Sequence, residues 1–270
     1  MTFFVVQVLP YLAVTIFVVG LLYRLGRWAS ARIVHNIVLT PAPPTLGGAA
    51  VNYAAEVALF RSMWKSDKSL WAGAWIMHFA LLNIIGGHIV GFAFLGEQFK
   101  YIGTSPELST HLSEILGTSM GIVIWIALLY LLYRRLAINE VKLVSNPADY
   151  LHLILLLCIV TLGNVMRLLP DAYGIDYLTA QTYLVQLATF QAVDTSNFNI
   201  IFILHLLFVQ LLMIIFPFSK LLHSVGMFAE RWIINRPYVE PAPGMPGANV
   251  SVSSGATSVV SGGKTTSEGV

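Results

Sequence analysis

Apolar residues run through this chain in five long blocks, near 3–23, 71–95, 111–133, 149–169 and 198–220, with most of the charge gathered between and after them. Crossing a hydrocarbon core of ~30 Å takes about 20 residues of helix, and each block is long enough. Hydrocarbon offers a backbone amide no hydrogen-bond partner, so helices are expected; none of the blocks alternates like a barrel strand. The pattern predicts an all-α integral membrane protein, a bundle of five transmembrane helices. Arg24, Arg27 and Arg32 after the first block, with no basic residue before it, fit a retained helix rather than a cleaved leader.

The segments between the blocks set the orientation. Segment 24–70 holds Arg24, Arg27, Arg32, Arg61, Lys65 and Lys68, and segment 134–148 holds Arg134, Arg135 and Lys142. Lys220, Arg231, Arg236 and Lys264 follow the last block, whereas the two opposite loops carry only Lys100 and Arg167. The positive-inside tendency puts the N-terminus outside and the C-terminus in the cytoplasm. Within 24–70, Pro41-Ala42-Pro43-Pro44 and Gly47-Gly48 break the chain, and 53–64 reads as an amphipathic helix for the membrane surface or a partner. Two parts follow: a membrane domain over 1–236, and a Pro/Gly/Ser-rich tail over 237–270 expected to be flexible.

Composition narrows the function. Hydrophobic residues make up 57% of the 270 and charged residues 10%, against roughly 25% charged in a soluble domain. A net charge of +2 gives no basic field for nucleic acid. One cysteine, Cys158, excludes an internal disulfide, a thiolate zinc site and a cysteine-ligated cluster within this chain.

Ionisable residues inside a span are costly and are functional candidates. His78 and His88 share the second block, and His205 and His223 share the fifth. Consecutive spans alternate in direction, so His78 and His223 lie toward one face of the membrane and His88 and His205 toward the other. Two facing pairs at two depths suit bis-histidine ligation of two stacked haems. Ten residues of helix rise ~15 Å and eighteen rise ~27 Å; eighteen make five turns, putting His205 and His223 on one face. A kink or helix end at Pro217 would absorb part of the mismatch. Gly86, Gly87 and Gly91 around His88 admit a bulky ring near backbone. A single membrane histidine is more often a packed side chain, but four that pair by depth favour ligation. His35 reads as a surface residue and His152 as structural.

These residues carry a resemblance. The run Ile201-Phe202-Ile203-Leu204-His205 through Phe216-Pro217-Phe218-Ser219-Lys220-Leu221-Leu222-His223 resembles the last span of the cytochrome b (gamma) subunit of respiratory nitrate reductase. His78 and Gly87-His88-Ile89-Val90-Gly91 resemble the family's second-span haem motif, with weaker likeness at 117–121, Arg134-Arg135-Leu136 and Ala148-Asp149. The resemblance covers about 1–236. Lys65-Ser66-Asp67-Lys68, Trp71, Ala74-Trp75, Gln210 and Pro217-Phe218-Ser219-Lys220-Leu221 look like the membrane subunits of heterodisulfide-reductase-like complexes, including that of dissimilatory sulfite reduction.

The resemblance implies five helices, two b haems, and electron flow between a quinone or methanophenazine pool and a cytoplasmic iron–sulfur partner. His78 and His223 would ligate the cytoplasmic-side haem iron, His88 and His205 the outer one. It implies a dihaem b subunit in the cell membrane that oxidises menaquinol near the outer face for a heterodisulfide-reductase-like partner, with further membrane and electron-transfer subunits. Terminal catalysis would lie in the partners. Nitrate reductase subunits carry a quinol-site lysine before the third span where this chain has Ser109, so His111 or Lys100 becomes the quinol-site expectation. Glu97, Glu114, Arg167 and Asp171 share those outer loops, where Arg167 would pair with Asp171 or a haem propionate. Alternatives are a nitrate reductase gamma subunit, a haem-free anchor, or a histidine-based transporter. Against the transporter stand the missing inverted repeat and mid-span carboxylate.

Overall fold

The computed structural model describes residues 2–31, 43, 45–94, 97–235, 248–253 and 256–261. Five helices are long and apolar enough to cross a membrane: Phe4–Ala29, Lys68–Ala93, Pro106–Ala137, Pro147–Leu168 and Ile200–Phe218. Each falls on one predicted block. In chain order the helices are α1 (Leu9–Ala29), α2 (Leu46–Leu59), α3 (Arg61–Ser66), α4 (Lys68–Phe94), α5 (Pro106–Ala137) and α6 (Asn139–Leu143). Then come α7 (Pro147–Leu168), α8 (Pro170–Tyr173), α9 (Tyr177–Ala188), α10 (Ile200–Ile215) and α11 (His223–Asn235). His35 and the Pro41-Ala42 pair lie outside the described residues.

Two compact units form. One holds Met1–Arg24 and Ser62–Leu222, the other Leu25–Arg61 and His223–Val270. In the first, α4 packs on α5, α5 on α7 and α7 on α10, while α4 and α10 are not close-packed neighbours. Ala80, Ile124 and Leu128 centre one apolar cluster with Leu153, Leu156 and Val160; Val6, Tyr183 and Phe202 centre another. The span starts carry their own caps. Ser105 accepts the Leu108 amide ahead of Pro106, Asn146 and Asp149 form a capping box around Pro147, and Asn199 accepts the Phe202 amide.

In the second unit α2 packs with α11, where Tyr53 meets Trp232 edge-on at 5.8 Å between ring centres. Two differences from the sequence expectation appear. The helix expected over 53–64 is two helices, because Phe60 takes a left-handed φ of 50° and closes its amide onto the Glu56 carbonyl. Part of the 237–270 tail forms an antiparallel hairpin, Ala248–Ser253 with Ala256–Ser261, whose first strand alternates valine and serine.

Proline shapes both terminal spans. Residues Phe4–Val8 are π-helical, with the Leu9 amide bonded to the Phe4 carbonyl. In that register a carbonyl pairs with the amide five residues on, so Val5 would need the amide of Pro10, which has no hydrogen. Gln210, buried at mid-span on α10, donates its Nε2 to the Val5 carbonyl at 3.1 Å. Tyr183 donates to the Val6 carbonyl at 3.2 Å, and burial pushes its phenol up so that it remains a donor. On α10, Pro217 ends the regular helix at Ile215, and the chain continues through 3-10 turns at Phe216–Phe218 and Lys220–Leu222. Pro217 is fully buried against α1, where a Cβ on Gly20 would come within 2.7 Å of it.

A buried carboxylate holds that broken end. Asp149, 8% exposed, lies 2.8 Å from Lys220 and 3.4 Å from Arg135 while capping α7. His152, one turn on, is buried and sits within electrostatic reach of both Asp149 and Lys220. Asp67 of the α3–α4 junction pairs with Arg134 at the end of α5.

Gln210→Leu should destabilise the protein in detergent by about 1–3 kcal/mol, the cost of stranding a buried carbonyl. In a Pro10→Ala background, where the backbone amide restored by the substitution serves Val5, chemical unfolding should show most of that loss gone. Asp149→Asn should cost about 2 kcal/mol, below the ~3–5 of a fully buried pair because Lys220 reaches solvent. The same unfolding assay reads it, and Lys220→Met should cost less because Arg135 remains.

Candidate functional site

The histidines of α4 are locked by their own helix. His78 Nδ1 lies 2.7 Å from the Ala74 carbonyl and His88 Nδ1 2.8 Å from the Ile84 carbonyl, each four residues back. His205 of α10 reaches across to α7, with its Nδ1 3.0 Å from the Ile159 carbonyl. A carbonyl only accepts, so each Nδ1 carries the proton and donates. In a neutral imidazole the lone pair is then on Nε2, and the hydrogen bond sets the orientation of the ring. Metal-binding imidazoles use the same support, one nitrogen anchored to a carbonyl and the other a lone-pair donor.

Local packing suits a bulky planar ligand beside these rings. His88 is exposed, His78 and His205 half-buried, and His88 and His205 lie within electrostatic reach of each other. A Cβ at Gly163 of α7 would touch His205 Cε1 at 3.5 Å, so the small residue gives that ring room. A Cβ at Gly86 or Gly87 would meet nothing within 4 Å among the described residues. The residues present therefore fit haem iron by donor chemistry and by clearance.

His223 opens α11 in the second unit. The helix break expected near Pro217 is present, and it removes the five-turn argument: no continuous helix carries the face of His205 to His223. The pairing of His78 with His223 rests on the sequence.

The quinol-site candidates sit elsewhere. His111 is exposed, with Nδ1 3.6 Å from a Glu114 oxygen, and Lys100 is engaged with Glu97 at 2.6 Å. Two shallow grooves of about 410 and 560 Å³ meet at His111 and Glu114, one lined by Glu107 and Thr110, the other by Ile115, Thr118 and Ile122. Ser109 is fully buried and accepts the Phe99 amide at 2.9 Å, fastening the Gln98–Ile102 turn to α5. Two residues along a helix turn ~200°, so His111 faces away from the side of α5 that holds the turn carrying Lys100.

Two contributors escaped the sequence reading. The Ile159 carbonyl carries no sequence signal at all. Helix α9 does: Asp176 accepts the Thr179 amide as an N-cap, and Tyr177 then contacts Gly91 and Arg167. Thr179 holds the Asp176 carboxyl below its ordinary range.

The chain is 29% identical over 257 residues to the Hdr-like menaquinol oxidoreductase cytochrome b-like subunit of Archaeoglobus fulgidus, covering 82% of this chain and 76% of that one. The subunit of the same name from Archaeoglobus profundus is 24% identical over 266 residues, 83% of this chain and 76% of that one. The nitrate reductase gamma chain of Bacillus subtilis is 28% identical over 165 residues, 59% of this chain and 74% of that one. The model of the nitrate reductase gamma subunit family matches residues 52–240, the stretch that includes His78, His88, His205 and His223, and the chain belongs to that family.

Proposed function

We propose that this multi-pass membrane protein is the dihaem b subunit of a multi-subunit oxidoreductase. It exchanges electrons between the membrane quinone pool, oxidising menaquinol near the outer face, and a cytoplasmic iron–sulfur partner of heterodisulfide-reductase type. The observation that carries this reading is the anchoring of His88 and His205 through Nδ1 to carbonyl oxygens, which leaves Nε2 as the ligating nitrogen of each ring. The Archaeoglobus relatives, named as menaquinol oxidoreductase subunits, match most of the chain, whereas the nitrate reductase gamma chain of Bacillus subtilis matches 59% of it. The basic residues flanking the spans support an external N-terminus and a cytoplasmic C-terminus.

In this reading His88 and His205 hold one haem and His78 and His223 the other. Bound haem supplies one-electron transfer, and its potential answers to the surrounding charge and hydrogen bonds. The chain's own part is to fix the tautomer and orientation of the imidazoles and to receive protons from the quinol. His111 and Glu114, exposed at one end of α5 and 3.6 Å apart, are the proton acceptors of this reading. The groove running from them along Ile115, Thr118 and Ile122 offers an apolar track for an isoprenoid tail. Lys100, already paired with Glu97, has the weaker claim.

A dithionite-reduced spectrum with pyridine haemochrome quantification should give about two b haems per chain; a folded, colourless protein would reject the reading in favour of an anchor. His88→Ala and His205→Ala should remove one haem, and His78→Ala and His223→Ala the other. Loss of a common signal in His78→Ala and His88→Ala would overturn the pairing. His111→Ala should slow haem reduction by a menaquinol analogue about 10²-fold, the low end for a general base, with the spectrum unchanged; unaltered kinetics would remove His111 from the site.

A further inference from the structure

We propose that Arg167 is a carboxylate-binding residue of the His88–His205 site, its partner a propionate of the haem held there; the assignment rests on the functional reading above. Three positions spaced four residues apart make one face of α7. Ile159 gives its carbonyl to His205 Nδ1 at 3.0 Å, Gly163 clears the His205 ring at 3.5 Å, and Arg167 occupies the next turn. Residues at that spacing stack on a helix surface ~5–6 Å apart, so the guanidinium lies one turn beyond the histidine, toward the α9 end. The other histidine leads to the same place. Gly91 follows His88 by about one turn of α4, a Cβ there would sit 3.6 Å from the Tyr177 ring, and Arg167 Nη2 points to the Tyr177 hydroxyl at 3.4 Å.

The guanidinium lies against bare backbone. A Cβ on Gly117 of α5 would meet Arg167 Nη2 at 2.5 Å and Cζ at 2.8 Å, so glycine makes the seat. The group is half-buried, and among the described residues no carboxylate pairs with it, Asp171 included. Arginine stays charged, and a half-buried guanidinium in the last turn of a membrane span favours a counter-ion. A carboxylate matches the guanidinium fork with two parallel hydrogen bonds. Haem carries two propionates on one edge, and a porphyrin between His88 and His205 turned with that edge toward α9 brings one to Arg167.

Redox titration of the full complex in membranes, followed at the b-haem absorbance, tests this. Reduction adds one negative charge to the haem, and a nearby cation favours the reduced form. Arg167→Gln should therefore retain both haems but lower the reduced-to-oxidised ratio of one about tenfold at a fixed poise, a shift of about 59 mV for one electron. The shifted haem should be the one lost in His88→Ala, and Arg167→Lys should recover most of the shift. Two haems with unmoved potentials would overturn the assignment. Slower reduction by a quinol analogue at unmoved potentials would overturn it too, making Arg167 a quinol contact. If Arg167→Gln does not assemble, Gly117→Val, which displaces the guanidinium without deleting it, decides by the same one-haem criterion. Haem missing from the wild type is a separate result, which counts against the functional reading itself.

Discussion

A carbonyl oxygen inside a bilayer has no water to turn to, and that constraint organises this protein from its first turn to the histidines of its spans. Where Pro10 deprives Val5 of an amide, Gln210 comes from another span to donate in its place. The same acceptor chemistry fixes the histidines. A helical carbonyl already bonded to its amide keeps a second lone pair, and Ala74 and Ile84 give theirs to His78 and His88. His205 uses the Ile159 carbonyl of α7, so its orientation depends on how α7 and α10 pack. The orientation of these three rings is thus set by backbone, the least variable part of the fold.

Charge obeys the same rule at the bundle ends, unequally. At the end carrying the α5–α7 connection, Asp149 gathers Lys220 and Arg135, and Asp67 takes Arg134. At the α9 end, Lys100 pairs with Glu97 while Arg167 meets only a tyrosine hydroxyl among the described residues.

Much of this architecture was legible in the sequence. Uninterrupted apolar length is a strong signal because lipid tolerates few alternatives, and all five spans fall on their blocks. The histidines were visible for the same reason: charge and lone pairs are rare in such segments. What the pattern did not carry is side-chain direction across helices. Ser109 and His111 are two residues apart, yet one is buried against a turn and the other exposed, and hydropathy does not separate them. Helix α9 was missed because its 12 residues are too short to stand out as a span, although Asp176 and Thr179 mark its start. The break at Phe60 needed a left-handed backbone that phenylalanine does not advertise.

The broken end of the fifth span shows why spacing alone misleads. Eighteen residues between His205 and His223 suggest a rigid ruler of five turns, but the ruler stops at Ile215. A 3-10 turn rises ~2.0 Å per residue instead of ~1.5 Å and rotates by ~120° instead of ~100°, so both depth and facing of whatever follows are reset. That reset is not slack. Pro217 is wedged on Gly20, and Lys220 is tied to Asp149, so two fixed points precede His223 by six and three residues. The eighteen-residue spacing therefore carries no shared helical face from His205 to His223.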